Sequence, residues 1–414
     1  MNILMLGRWL PPPRRPVRGT REYQFARHLA RAHRLTLAFV TDNPDTAGSI
    51  SALRSEFGDL EFASVPRGWK SLASAVRLAT GESCTLSYFR SEALRTRLAD
   101  RLRNTEYDLV YVSSSTMIQY AMEVDPAIPL VADFGTLDSE WWARQAVRGT
   151  YGASRFFRTE AARLRAAETI AARRAAQRLV ETPEAARIVQ SLAPGVPTVV
   201  IPSGVDLDGA GAGSRPGKVP TVVFNASLSN EAELDEVLDF CRSIIPAVRA
   251  QVPQVRFVLA AKDSVPAGRE GRGVEGLEIV APMSDVRLLL HRQSVVAAPS
   301  GPGFDTRTSV LEPMAAGVPV VTVSSVRDAL RARAGHDLQV SDNRLDFALR
   351  IIELLVDDRL REEMGAQGRR FVQENFSWSV FAARVDDLLA GVIRDSAAQN
   401  GIRRPGPIPA RHGA

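Results

Sequence analysis

Residues 301–321, GPGFDTRTSVLEPMAAGVPVV, join a glycine-containing turn, a helical segment and an apolar run around one acidic residue, Glu312. Gly303 permits close approach of a ligand to the backbone. Thr308 or Ser309 is placed to cap the helix, whose N-terminal N–H groups favour an anion. The apolar run that closes the stretch is typical of a buried parallel strand. The stretch predicts a phosphate-binding site in an α/β protein, although Glu312 alone would equally fit the surface of an amphipathic helix.

Glu312 and the PMAAGVPVV that follows it (313–321) resemble the donor-sugar motif of retaining glycosyltransferases of family 4, which have the GT-B fold. In that family, a glutamate followed by A-M-A-x-G-x-P-V-V binds the ribose of a nucleotide sugar, and Pro313 stands here for the usual alanine. The resemblance implies a nucleoside-diphosphate sugar as donor substrate and no separate cofactor. It places further donor contacts on residues that lead into the glutamate: Gly303, Thr306, Thr308 and Ser309.

The residues before Glu312 depart from the family pattern. Where the family often has a second glutamate, eight residues earlier, this chain has Phe304, with Asp305 beside it. Where many relatives have an arginine or glutamine and then a lysine, this chain has Arg307 and Ser309. We therefore expect Arg307 to contact the diphosphate.

The length and composition indicate a large soluble enzyme. The chain has 414 residues, which predicts two domains of about 150 to 200 residues each. No window reaches the roughly 18 apolar residues of a membrane span, and the first apolar run is too short for a signal peptide, so we expect a cytoplasmic protein. Cys84 and Cys241 form no metal-binding pattern. The net charge of +5 suits phosphate-bearing ligands or an anionic membrane and gives little support for nucleic acid.

Strand-like runs alternate with helical patterns in both halves, which predicts two doubly wound parallel sheets. The predicted strands are 3–6, 35–40, 60–65, 109–112, 130–134, 178–181, 198–201, 221–225, 255–260, 277–280, 295–298 and 318–323. The predicted domains are an acceptor-side domain (1–203), a linker rich in glycine, serine and proline (204–219) and a donor domain (220–377). A helix at 378–394 is expected to cross back onto the first domain, followed by a disordered tail (395–414).

The resemblance extends to about residue 393 and is closest to sugar transferases of the PEP-CTERM/exosortase exopolysaccharide system. The segments that carry it are Gly19-Thr20-Arg21, Thr80-Gly81-Glu82, Tyr88-Phe89-Arg90, Ser114-Ser115-Thr116-Met117, Gln119-Tyr120 and Asp138-Ser139-Glu140-Trp141. It implies an α/β GT-B fold in which two Rossmann-like domains face each other across a cleft, with a C-terminal crossover helix. Asn225 falls where the subfamily has a glycine-containing turn and is expected near the donor.

In the first domain, Gly19 and Thr20 precede a helix and can direct backbone N–H groups to a phosphate, with Arg21 adding charge. The alternative is a solvated basic loop before an ordinary helix cap. Asp133 and Asp138 flank the end of a predicted strand, where open α/β sheets bind ligands. We expect Asp138 to contact the acceptor or the donor sugar and Asp133 to shape the turn, although a cap or turn role is equally open for both.

Lys262 follows the second strand of the second domain, where it can neutralise the leaving diphosphate together with Arg307, or simply be solvated. Retaining enzymes of this fold need no metal, and no metal site is expected. Trp141, Trp142 and the pair Tyr88–Phe89 are more often packing residues than sugar platforms.

The helix predicted at 155–178 alternates arginines with apolar residues, which permits contact with an anionic membrane on the inner face of the plasma membrane. An ordinary exposed helix is the alternative.

Together these features predict a retaining glycosyltransferase that moves a sugar from a nucleoside-diphosphate donor to a polysaccharide or polyprenol-linked glycan. A catalytically inactive GT-B scaffold that binds nucleotide sugar is the main alternative, because Phe304, Ser309 and Asn225 depart from the family. A nucleotide-sugar 2-epimerase of the same fold is a third, but no constellation of acid and base residues supports it.

Overall fold

The computed structural model describes residues 1–8, 21–41, 46–65, 81–148, 151–207, 217, 219–226, 228, 231–261, 274–283, 286–299 and 306–399, without the side chains of 46–49, 148, 151, 152, 307, 308 and 399. Within it the chain forms two compact units. The first comprises Met1–Ser203 and Phe381–Ala414, and the second comprises Gly204–Val380. Gly19, Thr20, Lys262, Gly303, much of the predicted linker and the end of the predicted tail lie outside the described residues.

The first unit is built on a seven-stranded parallel sheet with the order β3-β2-β1-β4-β5-β6-β7. Its strands are β1 Asn2–Gly7, β2 Arg34–Thr41, β3 Asp59–Ser64, β4 Leu109–Ser113, β5 Leu130–Gly135, β6 Gln177–Val180 and β7 Thr198–Val200. The central strands are apolar and buried along nearly their whole length, as expected for strands covered on both faces. The chain runs outward from β1 through β2 to β3 and then returns to β4, so the order reverses between β1 and β4.

The helices of the first unit connect successive strands. They are α1 Arg21–Ala32, α2 Thr46–Phe57, α3 Cys84–Tyr88, α4 Glu92–Asn104, α5 Ile118–Ala121, α6 Asp138–Arg148, α7 Tyr151–Arg174 and α8 Pro183–Leu192. Hydroxyl caps begin several of them: Ser83 accepts from the N–H of Leu86, Ser91 from that of Leu94 and Thr182 from that of Ala185.

The second unit repeats this plan with a six-stranded parallel sheet in the order β10-β9-β8-β11-β12-β13. Its strands are β8 Thr221–Ala226, β9 Arg256–Ala261, β10 Leu277–Val280, β11 Ser294–Ala298, β12 Val320–Thr322 and β13 Gln339–Val340. Its helices are α9 Glu231–Gln251, α10 Glu312–Ala315, α11 Ser324–Leu330, α12 Arg344–Val356 and α13 Asp358–Asn375. The order reverses between β8 and β11.

A long helix, α14 Trp378–Gln399, ends the described chain. Its buried residues include Val385 and Leu389, and Asp386 contacts His33 Nε2 at 2.5 Å. Most of this helix thus belongs to the first unit, although it follows the second unit in sequence. Within the second unit, the N–H of Val205 donates to the carbonyl of Phe376 over 2.8 Å.

The predicted α/β class with two doubly wound parallel sheets is confirmed. The strand predicted at 318–323 is shorter, because Pro319 has no N–H to donate and Val323 instead precedes α11. The helix predicted at 155–178 is wrong at its end: α7 stops at Arg174, and Arg178 is a buried residue of β6. No helix in the described ranges is long and apolar enough to span a membrane.

Candidate functional site

The helical turn that leads to Glu312 packs against the end of β8, beside the point where the order of the second sheet reverses. The Ser309 hydroxyl is buried and donates to the carbonyl oxygen of Asn225 over 2.5 Å. The helical conformation already begins at Thr306, so Ser309 lies within the turn. The prediction that Thr308 or Ser309 caps this helix is therefore wrong. Ser309 instead joins the turn to β8, where doubly wound sheets bind their ligands.

Pro313 accounts for the unusual geometry of this turn. Residues Arg307–Leu311 form a π-helical turn, and the α-helix α10 begins at Glu312. A proline in a helix has no N–H for the carbonyl four residues earlier, and its ring crowds that carbonyl. Widening the preceding turn relieves both effects, and π-helical turns are frequent at functional sites.

Glu312 itself is buried, with 5% of its surface exposed. The helix ends at Ala315, and the turn after it contains Gly317, which has a φ of 77° that side-chain-bearing residues rarely adopt. The N–H of Val318 donates to the carbonyl of Pro313 over 3.1 Å and closes the turn. Glu312 thus lies at the start of a short helix that leads into β12. The side chains of Arg307 and Thr308 lie outside the described ones, so the structure does not place them.

A cavity of about 560 Å³ opens in the first unit at the carboxyl ends of its strands. It is lined by Arg8, Cys84, Thr85, Tyr88, Phe89, Thr136, Asp138, Trp141, Trp142 and Phe156. Arg8 follows β1 and Asp138 follows β5, on either side of the point where the sheet order reverses. Aromatic rings make up half of the lining, a composition that suits the apolar faces of sugars or an apolar chain.

Asp138 is the acidic group of this cavity. Its Oδ1 lies 3.7 Å from Arg8 Nη1, and its Oδ2 is buried with no hydrogen-bond partner among the described residues. Burial raises the pKa of Asp138, while the charge of Arg8 and an interaction with the Ser115 hydroxyl lower it. The Asp138 side chain as a whole is 23% exposed, so part of it is accessible from the cavity and suited to accept a hydrogen bond from a ligand hydroxyl. The structure therefore brings Asp138 to a pocket, as the sequence suggested, and adds Arg8, which the sequence reasoning missed.

Arg21 has a different role from the phosphate contact predicted for it. Its Nε donates to Asp133 Oδ2 over 2.8 Å and its Nη1 to the carbonyl of Ile201 over 2.5 Å. Tyr111 also donates to Asp133, whose Oδ1 accepts from the N–H of Gly135. Burial alone would lower the pKa of Arg21, but Asp133 and Tyr111 more than offset it and the pKa is raised. Arg21 and Asp133 thus form a buried ion pair, and Asp133 shapes the turn after β5 as expected.

Some of the arginines expected to form a basic membrane-facing surface make hydrogen bonds within the first unit, and the others are exposed to solvent. Arg163 donates to the carbonyl of Glu82, Arg165 to Ser139 and Glu140, and Arg174 to the carbonyls of Asp125 and Ile128. The exposed ones are Arg155, Arg158 and Arg173. The apolar residues Phe156 and Phe157 pack against Trp142 with ring centroids 5.8 and 5.4 Å apart. Most of the helix is accounted for by packing within the unit.

Comparison with solved structures defines the class of the fold. Sucrose-phosphate synthase from Thermosynechococcus elongatus is similar over 95% of this chain and 100% of its own, with 15% identity and a TM-score of 0.54. Anabaena HepE in complex with UDP and glucose is similar over 94% and 100%, with 15% identity and a TM-score of 0.53. An α,α-trehalose-phosphate synthase (UDP-forming) from Burkholderia vietnamiensis gives 12% identity over 94% and 100%, with a TM-score of 0.53. The chain has the GT-B fold.

A comparison with protein families gives a match for the second unit. Residues 219–357 match the family model described as Glycosyl transferases group 1, and this stretch includes Asn225, Ser309 and Glu312. None of the curated proteins compared with the chain matches it.

Proposed function

We propose that the protein is a glycosyltransferase that moves a sugar from a nucleoside-diphosphate donor to a polysaccharide or lipid-linked glycan, with retention of the anomeric configuration. The observation that carries the proposal is the buried Glu312 at the helical turn beside β8, within the stretch that matches the glycosyltransferase family. The role in exopolysaccharide synthesis rests on the sequence resemblance, whereas the cytoplasmic location and the peripheral contact with an anionic membrane rest on the pattern of apolar and basic residues in the sequence. The solved relatives bound to UDP make UDP-sugars the first donors to test.

In the proposed reaction, Glu312 binds the ribose and Arg307 and Lys262 neutralise the diphosphate. Gly303, Thr306 and Thr308 line the same site, and Gly19 and Thr20 bring backbone N–H groups to a phosphate. The bond between the anomeric carbon and the diphosphate oxygen breaks, and the acceptor hydroxyl forms the new bond on the same face. The hydroxyl proton passes to the departing diphosphate. Preorganised positive charge around that diphosphate is the main source of rate enhancement.

The first-unit cavity is proposed to hold the acceptor. Asp138 accepts a hydrogen bond from the acceptor hydroxyl and orients it for attack, while the aromatic lining contacts the apolar faces of the acceptor. Support comes from the partly exposed Asp138 side chain in the lining and from the position of the cavity at the carboxyl ends of the strands.

One observation favours a second candidate, a GT-B scaffold that binds a nucleotide sugar without turning it over. Ser309 occupies the position where many relatives have a lysine, and its side chain is turned inward to the carbonyl of Asn225. That position therefore supplies no charge to a diphosphate. The two candidates differ in turnover and agree in binding.

A donor screen tests the proposal. Melting temperature and release of nucleoside diphosphate would be measured with UDP-, GDP-, ADP- and dTDP-sugars, for the wild-type protein and Glu312→Ala. We expect the nucleotide sugars of one nucleobase to stabilise the wild-type protein, by about 2.7 kcal/mol at a ligand concentration 100 times the Kd. Slow release of nucleoside diphosphate should accompany this stabilisation, and Glu312→Ala should lose both.

Glu353→Ala is the matched control, because Glu353 is an exposed glutamate on α12 of the same unit. It should behave like the wild-type protein. Binding without release, even with polyprenol-linked acceptors present, would replace the transferase by the scaffold. Stabilisation by no donor, or equal stabilisation of Glu312→Ala, would contradict both.

A further inference from the structure

Two glutamates on α7 are completely buried, although their neighbours in sequence are mostly arginine and alanine. Glu160 and Glu168 have no exposed surface, and Leu164 lies midway between them. Residues spaced by four lie on one face of a helix, so both carboxylates share the buried face of Leu164. Burial of a carboxylate is unfavourable unless several donors satisfy it. Each of the two glutamates has such a set of donors: that of Glu160 includes two residues that line the cavity, and that of Glu168 includes the residue next to Asp138.

Glu160 accepts hydrogen bonds from the start of α3, which forms one wall of the cavity. Its oxygens accept from the Ser83 hydroxyl at 2.6 Å, from the N–H of Cys84 at 2.9 Å and from the N–H of Thr85 at 2.8 Å. These are the first N–H groups of a helix, where a negative charge is favourable. Cys84 and Thr85 line the cavity.

Glu168 holds two other segments at once. It accepts from the Ser115 hydroxyl at 2.8 Å and from the N–H of Ser139 at 3.1 Å, and the Ser139 hydroxyl donates to its second oxygen. Ser115 follows β4 and Ser139 follows β5, so one carboxylate joins the loops at the ends of adjacent strands. Ser114, between β4 and Ser115, has a φ of 78°, a conformation costing about 1 to 3 kcal/mol that persists where its surroundings enforce it.

Asp138 is the residue just before Ser139, and Ser115 interacts with both carboxylates. Arg8 after β1 lies 3.7 Å from Asp138, and Arg165 on α7 pairs with Glu140 on α6 and with Glu168. Burial raises the pKa of Glu168, and the charge of Asp138 raises it further. The two carboxyls therefore titrate as a coupled pair, and a change at one of them is felt by the other.

We propose that Glu168 is a positioning residue for Asp138: by binding Ser115 and Ser139 it fixes the Asp138 carboxylate at the cavity, and its negative charge acts on Asp138 across the same contacts. This inference deepens the proposed function and rests on it for the role of Asp138 in catalysis. The arrangement itself is a property of the folded first unit and is measurable without any substrate.

The test is a ¹³C NMR titration of the Asp138 carboxyl in the full chain, assigned with Asp138→Asn, together with the pH profile of turnover. Glu168→Gln keeps the shape: its amide oxygen can still accept from Ser115 and the N–H of Ser139, and its NH₂ can donate to the Ser139 hydroxyl. We expect the Asp138 titration and the acid limb of turnover to move about 1 pH unit lower, because a nearby negative charge is gone.

Glu160→Gln is the matched control, since it removes an equally buried carboxylate from the same helix face and leaves Ser115 and Ser139 in place. It should lower stability and leave the Asp138 titration unchanged. An unshifted titration in Glu168→Gln, or an equal shift in Glu160→Gln, would overturn the proposal. A protein with the expected titrations but no turnover with any donor would overturn the proposed function and leave the electrostatic link between Glu168 and Asp138 standing.

Discussion

Asp138 is the first residue of α6, and burial raises its pKa although Arg8 lies 3.7 Å away. A carboxyl whose pKa is higher in the folded than in the unfolded state destabilises the folded protein when it is charged. This loss of stability is absent below the unfolded pKa, near 3.8, and grows as the pH rises from there through the folded pKa. Such a cost is typical of residues kept for function rather than for stability.

Asp138→Asn should therefore raise the melting temperature at pH 7.5, with a gain that shrinks as the pH falls toward 4. Turnover should fall by about tenfold or more, because an amide oxygen is a weaker acceptor for the acceptor hydroxyl. Thermal melts between pH 4 and pH 7.5 and rates at saturating donor would measure both. Asp387→Asn, at an exposed aspartate of α14, should show neither effect. A loss of stability in Asp138→Asn at pH 7.5 would contradict this account.

Some residues of the site were predictable from the sequence and others were not. The positions of Glu312 and Asp138 were, because Glu312 opens a recognisable motif and Asp138 follows a recognisable strand. Glu168 was missed, since in a helix rich in arginine a glutamate is ordinarily a solvated ion-pair partner. Its spacing of four from Leu164 was the available signal. The burial of Arg21 against Asp133 was not readable, because the partners are 112 residues apart.

At the scale of elements, α13 packs closely against the turn that follows Glu312, and we expect this packing to hold the glutamate in place. A Cβ placed on Gly365 of α13 would lie 2.3 Å from the carbonyl oxygen of Gly317, a contact that backbone cannot tolerate. A Cβ on Gly391 of α14 would find its nearest contact at 4.0 Å, with Arg394. Both glycines lie within helices, so the same substitution should have opposite effects.

Gly365→Ala should destabilise the second unit by about 1 to 3 kcal/mol, because α13 must move away from the Gly317 turn. It should also weaken donor binding, since that turn follows Glu312. Gly391→Ala should stabilise the first unit by about 0.5 to 1 kcal/mol through lower backbone entropy of the unfolded chain. Denaturant unfolding and donor titration would measure these effects. Equal effects of the two substitutions would show that the close approach does not control the site.

The elements themselves were largely predictable, because parallel strands such as β4 and β11 are continuous apolar runs bounded by turns. The π-helical turn 307–311 and the two-residue strand β13 were not. The first depends on how Pro313 fits its neighbours in space, and the second is too short to leave a periodic pattern.

On the scale of the whole molecule, the first unit is completed by a helix that comes after the second unit in the chain. Leu389 of α14 is fully buried there, whereas Leu345 of α12 is 66% exposed. The first 203 residues therefore do not contain all of the apolar surface that their unit buries.

Leu389→Ala should cost about 2 to 5 kcal/mol, because it leaves a cavity under α14. The loss should speed hydrogen exchange in the first unit's strands, β1 and β2, and leave β8 and β11 of the second unit unchanged. Leu345→Ala should change neither set. Faster exchange in β8 and β11 alone would place α14 with the other unit.

The central claim, that the second unit binds the nucleoside diphosphate at Glu312, is tested most directly by hydrogen exchange of the full chain with and without UDP, GDP, ADP and dTDP in turn. For one of these nucleotides, the account predicts slower exchange at Thr221–Ala226 and across residues 306–317, lost in Glu312→Ala. Slower exchange confined to the cavity around Asp138, or no change at 306–317 with any of the four, would contradict it.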